Sequence, residues 1–398
     1  MAKNEQFKGA ISIASNSPDT PTGYGQQARY LVDRFTRHGL KTAVFSNYGL
    51  EGMKGTLPTP YGKVAHYPKG FAPYSEDVIP LWQKEFLLEN PDLKNIVLTL
   101  YDTWVYKNLK YDGPIYSWTP LDHVTLPPMV RSFLLRDNVS PITMSPHGKR
   151  QLDAAGIDNV YIPHGVDPGV FKPTAKIRGM KTRDFMKVPE DAFLVTMVSA
   201  NKANKFIHRK ALAENLMAFA LFAQSRPDAY LYLHMEPSAV YGGFNLAVLL
   251  QAVGLDPEKV TIADPNQLRI GYKQEELAAF YTASDVLLAA NYGEGFGIPV
   301  IESQMCGTPV ITANWAATRD LAGETSWLVE GQPFWNEAQS SFFYVPLIDS
   351  ITAALEQAYK AERGIDEKSI EFAKDFAVEK VWNESWLPLL RGIFGEPS

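Results

Sequence analysis

At 398 residues the chain is long enough for two domains, each with its own core. Hydrophobic residues at 45%, charged residues at 21% and a net charge of −6 describe an ordinary globular protein and give no support to a nucleic-acid-coating surface. The single cysteine, Cys306, excludes an intrachain disulfide, and neither a signal peptide nor a run near about 18 apolar residues is present, so a cytoplasmic protein without an integral membrane segment is expected.

Strands and helices alternate from the start, which predicts a parallel α/β sheet. Ala10–Ala14 is the first strand. A polar loop leads to Gly23-Tyr24-Gly25 and to a helix with Ala28, Leu31, Val32 and Phe35 on one face. Thr42–Ser46 is the second strand. Gly23, Gly25 and Ala28 match G-x-G-x-x-A, yet eight residues separate the strand from the first glycine. Ser46-Asn47 also stand where a dinucleotide fold needs an acid, so NAD binding is set aside. Residues 48–74 read as loop, Ser75 as a helix cap before a helix to Asn90, and Asn95–Leu100 and Pro114–Trp118 as buried strands. Ligands of open α/β sheets gather beyond strand C-termini, which marks Asp102, Asp122 and His123. Either Asp122 or His123 could accept a proton from a hydroxyl. Further on come a helix at Met129–Arg136, a strand at Ile142–Ser145, a helix at His147–Ala155 and a strand at Val160–Ile162.

A basic helix-like stretch, Lys176–Lys187, precedes a second α/β region that opens with Phe193–Ser199. Asn201-Lys202 and His208-Arg209-Lys210 follow, ahead of a helix bearing Leu212, Leu216 and Phe219. Cations at this place would stabilise a diphosphate leaving group, with Arg able to bind its oxygens bidentately. Leu231–His234 and Val260–Ala263 are strands, and Gln274–Thr282 is a helix. Asp285–Ala290 is too short for a core helix and reads as a buried parallel strand. It runs into Asn291-Tyr-Gly-Glu-Gly-Phe-Gly297, a short helix with Pro299 in its first turn and Gly307 at its end, and a strand from Thr308. Such a loop and helix start offer backbone N–H groups to a phosphate. Glu294 and Glu302, with seven residues between them, are poor phosphate ligands but good acceptors for sugar hydroxyls on either side of a diphosphate. That pattern suits a nucleotide-sugar. The last helix is expected at Ile370–Ile393.

The EGFG–P–E–CGTPVI run as a whole resembles the E-x7-E signature of glycosyltransferase family 4, retaining enzymes of the GT-B fold. The similarity is weak over the first 125 residues and strong from about 141 to 330; PITMSPHGKRQLDAAGIDNVYIPHGVDPGVFKP resembles the family's interdomain link, with His164 where the turn usually has Asn. The resemblance implies two Rossmann-like doubly wound domains facing a cleft. They would comprise residues 1–172, on the acceptor side, and 173–376, on the donor side, with 377–398 packing back on the first. It further implies that Glu294 contacts the donor sugar and Glu302 the nucleotide ribose, and that Gly295, Phe296, Gly297 and Ile298 line the donor with Gly23 and Gly25. The family places an Arg after the first strand of the second domain and a Lys before its helix. Here Asn201 holds the first position and Arg209-Lys210 the second, with Lys202 and Lys205 in reserve. Family members often carry a His near Asp122-His123, and Trp315–Thr318 would border the donor.

The chain contains neither a D-x-D triplet nor a His/Cys cluster at metal-ligand spacing, so no metal or cofactor is expected. The function expected is that of a retaining, metal-independent glycosyltransferase using a UDP- or GDP-linked sugar. Its acceptor is an unspecified hydroxyl, with lipid, glycan, protein and modified nucleobase left open. A sugar-nucleotide epimerase and a non-catalytic nucleotide-sugar-binding module are the rivals.

Overall fold

A computed structural model describes residues 6–203 and 207–397. The chain divides into two compact units. One is built from residues up to Leu121, Thr125–Gly165 and the segment from Val378 onward; the other comprises Asp122–Val124 and Val166–Ala377.

The first unit holds β1 (Ala10–Asn16), β2 (Lys41–Tyr48), β3 (Gly55–Thr59), β4 (Gly62–Tyr67), β5 (Asn95–Leu100), β6 (Ile115–Thr119), β7 (Val139–Thr143) and β8 (Val160–Tyr161). They form one sheet in the order β3-β4-β2-β1-β5-β6-β7-β8. Every pairing is parallel except β3 with β4. The order reverses at β1 and β5, the signature of a doubly wound fold. The helix Gly23–Arg37 starts where the Thr22 hydroxyl accepts from the Gly25 N–H at 3.1 Å, and it buries Ala28, Leu31, Val32 and Phe35. Those four positions are spaced at the helical period, so one face is apolar and the helix lies on the sheet.

Residues 176–346 of the second unit hold ten strands. β9 (Lys176–Ile177) and β10 (Met180–Lys181) form a short antiparallel pair. β11 (Phe193–Val198), β12 (Ala229–His234), β13 (Val260–Ile262), β14 (Val286–Ala289), β15 (Val310–Ala313) and β16 (Trp327–Val329) make a parallel sheet in the order β13-β12-β11-β14-β15-β16. β17 (Gly331–Asn336) and β18 (Ser341–Pro346) form a separate antiparallel ribbon. Alternation along the strands serves two cores at once. Phe193, Val195, Met197, Leu231 and Leu233 face one layer with Leu212, Phe219 and Leu355, while Leu194 and Tyr232 face the other with Met186 and Phe280. Burying each large side chain contributes about 1.5–3 kcal/mol, which is why these strands read as continuous apolar runs.

Several elements differ from expectation. Residues 48–74 contain the β3–β4 hairpin; Pro58 is tolerated because β3 is the sheet's edge strand. Lys176–Lys187 is not one helix but two short strands and the turn of helix Thr182–Met186. The helix expected from Ser75 starts at Ile79 instead. The long helix expected over 370–393 is interrupted after Glu367–Ala373 by the tight turn Lys374–Phe376, and resumes at Val378–Val381, running through a π-helical turn, Trp382–Trp386, into Leu387–Phe394. The division between units falls at 165/166 and 377/378 rather than at 172/173 and 376/377, and Asp122–Val124 group with the second unit rather than the first.

Candidate functional site

In the second unit the strand order reverses between β11 and β14, so the loops after these two strands border the ligand crevice of this fold type. Two solvent-shielded polar atoms at this point, Ser199 Oγ after β11 and Asn291 Oδ1 after β14, have no hydrogen-bond partner. Buried polar atoms of that kind mark a place where a ligand or water completes the bonding.

The loop after β14 is held by its neighbours. The Tyr292 N–H donates to the Arg209 carbonyl at 2.8 Å, and its hydroxyl donates to Glu214 at 2.5 Å. Asn215 Nδ2 donates to the Ala290 carbonyl at 2.6 Å. Gly293 runs against residue 122 so closely that a Cβ there would lie 2.2 Å from the Asp122 carbonyl oxygen. Gly297 has φ +104 and opens the helix Ile298–Met305, which explains the glycine. Pro299 removes one N–H from that first turn, and helix geometry directs the rest outward.

Four charged side chains meet at the loop. Arg209 Nη1 donates to Glu294 Oε2 at 2.8 Å and also to the Gly293 carbonyl, and Lys210 Nζ donates to Glu294 Oε1. Arg209 Nη1 also lies 3.8 Å from Asp122 Oδ2, and Asp122 Oδ1 lies 2.6 Å from His123 Nδ1. Burial would raise the Glu294 carboxyl, but Arg209 and Lys210 outweigh it and hold the group below the usual carboxylate range. Asp122 follows the same balance: burial pushes up, the imidazole of His123 and then Arg209 pull further down. Burial lowers the Lys210 ammonium by more than Glu294 restores. Two acids and two bases therefore face one another across this loop.

The structure places the other expected residues as follows. Glu302 is buried on its helix and accepts from the Tyr281 hydroxyl at 3.0 Å, so one of its oxygens is already engaged inside the unit. Ile298 heads that helix and is buried. Phe296 is buried and packs 5.8 Å from Phe376. The Asn201 amide donates to the carbonyls of Glu236 (2.9 Å) and Phe244 (2.7 Å) and accepts from the Phe244 N–H (2.9 Å), pinning the loop 236–244. Gly23 and Gly25 lie in the first unit, where a Cβ on Gly25 would meet Thr20 at 2.5 Å; close packing accounts for that glycine. Lys202 forms an isolated bridge with Gly242, and Lys205 lies outside the described residues. Trp315 stacks on Tyr344 at 4.6 Å and 6°. His164 is buried against Trp118 in the first unit. Among the described residues no group of three or more His, Cys, Asp or Glu is placed to hold a metal, and no helix is long and apolar enough to cross a membrane.

Three residues were not anticipated. Asn336 and Phe343 come from the β17–β18 ribbon and contact His123, and Tyr281 contacts Glu302. A groove of about 430 Å³ lined by Thr174, Arg183, Asp285 and Arg363 sits at the opposite end of the strands, beside the start of β14. There Arg183 is tied to Asp285 at 3.0 Å and to the Ala192 carbonyl at 2.7 Å, a structural arrangement.

The sequence model described as glycosyl transferases group 1 matches residues 244–338, which include the Glu294 loop, Glu302 and Asn336. The chain is related to the group 1 glycosyl transferases. A D-inositol 3-phosphate glycosyltransferase of Streptomyces scabiei (strain 87.22) is 31% identical over 181 residues, 44% of this chain and 38% of that protein. One from Rhodococcus erythropolis (strain PR4 / NBRC 100887) is 38% identical over 111 residues, covering 26% and 24%. The matches thus span well under half the length of these curated relatives. Among solved structures, sucrose-phosphate synthase from Thermosynechococcus elongatus superposes with a TM-score of 0.73 at 17% identity, covering 97% of this chain and 99% of that one. An α,α-trehalose-phosphate synthase (UDP-forming) from Burkholderia vietnamiensis gives 0.62 at 14% identity, covering 96% and 97%. The fold of this glycosyl transferase relative is GT-B, with two Rossmann-like α/β units.

Proposed function

We propose that this chain is a retaining, metal-independent glycosyltransferase that moves a sugar from a UDP- or GDP-linked donor to an acceptor hydroxyl. The observation that carries the reading is the pairing of Arg209 and Lys210 with Glu294 at the switch point of the second unit. Two cations stand beside a carboxylate where a diphosphate would meet its sugar. The group 1 match over the same loop supports it.

In the reaction, the bond between the anomeric carbon and the phosphate oxygen breaks and the nucleoside diphosphate leaves with its electron pair. Arg209 and Lys210 stabilise the charge that develops there, the kind of preorganised electrostatics that lowers such barriers most. The acceptor oxygen bonds to the same face of the anomeric carbon, and its proton passes to the departing phosphate. Glu294 orients the sugar through its hydroxyls, and Glu302 meets the ribose. The names of the relatives span an inositol phosphate, a sucrose phosphate and a trehalose phosphate, so the acceptor is assigned only as hydroxyl-bearing.

The test is a melting-temperature panel of UDP- and GDP-sugars, followed by NMR of the anomeric centre in the product. A donor at 100 times its Kd stabilises by about 2.7 kcal/mol, a readily measured shift. A donor-dependent rise with net retention supports the assignment. An inverted product, or no shift with any UDP- or GDP-sugar, overturns it; donor epimerised without acceptor would point to the epimerase.

A further inference from the structure

His123 is enclosed by residues that the sequence places far away. Its Nδ1 lies 2.6 Å from Asp122 Oδ1, and its Nε2 lies 3.0 Å from Asn336 Nδ2, 213 positions along the chain. Phe343 stacks on the ring at 3.8 Å and 24°. The ribbon that supplies both residues is tied to the same short segment. The Val124 N–H donates to the Phe342 carbonyl and the Phe342 N–H to the Val124 carbonyl, each at 3.0 Å. Asn336 is buried, at 4% exposure.

The hydrogen-bond chemistry leaves one arrangement. An ionised carboxylate only accepts, so the proton of a neutral imidazole sits on Nδ1 and the lone pair on Nε2. Asn336 Nδ2 donates to that lone pair. Its Oδ1 is shielded from solvent and has no hydrogen-bond partner. A half-turn of the amide would bring Oδ1 to an Nε2–H, so the same side chain serves the imidazolium without moving the ring. Asp122 keeps its partner in both states. Its side chain is also the more open of the two, 16% exposed against 5% for His123.

We propose that Asn336 is a positioning residue: it occupies the outer nitrogen of His123, so that the imidazole serves Asp122, and Asp122 rather than His123 meets the substrate hydroxyl. The kinetic arm of the test rests on the transferase reading; the spectroscopic arm does not. In the full chain labelled with ¹⁵N-histidine, long-range ¹H–¹⁵N spectra show wild-type His123 as the neutral Nδ1–H tautomer. Asn336→Asp, nearly isosteric, sets a carboxylate at Nε2 and shifts the Nε2 resonance toward that of a protonated ring nitrogen. Asn336→Ala shifts the Nε2 resonance by removing its hydrogen bond. In transfer assays both variants lower kcat at least tenfold and change the donor KM less than twofold. A wild-type proton on Nε2, or His123 signals identical in all three proteins, overturns the proposal. So does an unchanged kcat in both folded variants of a chain that transfers sugar. If no donor is ever turned over, the spectra still decide the tautomer, and the failure belongs to the transferase reading alone.

Discussion

Glu294 is the carboxylate on which the site's two cations converge. Its two oxygens hold Arg209 and Lys210, and under the proposed function a diphosphate would compete with the carboxylate for the same donors. Replacing Glu294 by Ala would leave two half-buried cations side by side without their shared carboxylate, which destabilises the loop. Glu294→Gln keeps the shape and removes only the charge. The variant is expected to bind free UDP or GDP at least tenfold more tightly, about 1.4 kcal/mol, while losing kcat because the sugar is no longer oriented by a carboxylate. Isothermal titration with the nucleoside diphosphate checks the first half. Affinity unchanged or weakened would show that Glu294 and the phosphates do not share the clamp.

The strand–loop–helix unit from β14 to β15 depends on how closely its loop can approach residues 122–124. Gly293→Ala would force a Cβ to within 2.2 Å of the Asp122 carbonyl, with Phe343 at 3.1 Å on another side. Relief requires the loop and the Val124–Phe342 pairing to separate, an overpacking of about 1–3 kcal/mol. The expected result is a melting temperature several degrees lower and transfer lost more severely than donor binding; wild-type melting and turnover would refute the contact. This unit was readable in the sequence for a physical reason. Val286–Ala289 and Val310–Ala313 are buried parallel strands, which leave continuous apolar runs, and Gly297, Pro299 and Gly307 punctuate the helix between them. The β17–β18 ribbon was not readable. Its first strand exposes four residues in a row, Gln332 to Trp335, with Pro333 among them, so it shows no alternation, and Trp335 packs on Phe342 of the facing strand. Asn336 therefore carried no local signal, since its importance lies in a partner 213 positions distant.

At the scale of the whole molecule, the chain's last segment returns to the first unit and seals it. Trp382 is buried, its indole N–H donates to His38 Nε2 at 3.2 Å, and Glu379 bridges Arg34 and Arg37. Trp386 meets Trp118 edge-on at 5.0 Å, and Trp118 in turn meets His164 at 4.4 Å. Burial in this apolar setting pushes the His164 imidazole down to about 3. In the second unit burial takes His234 down to about 4. A histidine with a folded midpoint below its unfolded value of about 6.5 binds fewer protons folded than unfolded. Its neutral form sets no penalty above pH 6.5. Below that, protons favour the unfolded chain, and stability falls by up to about 1.4 kcal/mol per pH unit until the folded midpoint is reached. Asp122 and Glu294, held below the usual carboxylate range by their neighbours, oppose rather than share this histidine effect, losing their charge only at lower pH than an ordinary carboxyl. His164→Asn, which puts an untitratable side chain in the turn, should be less stable at pH 7.5 through lost contact with Trp118. Between pH 7.5 and 5.0, however, it should lose about 2 kcal/mol less than the wild type, as read by urea unfolding at the two pH values. Parallel losses in the two proteins would mean that His164 takes up its proton in the folded state, and that the Trp118–Trp386 packing is open to water where the structure shows it closed.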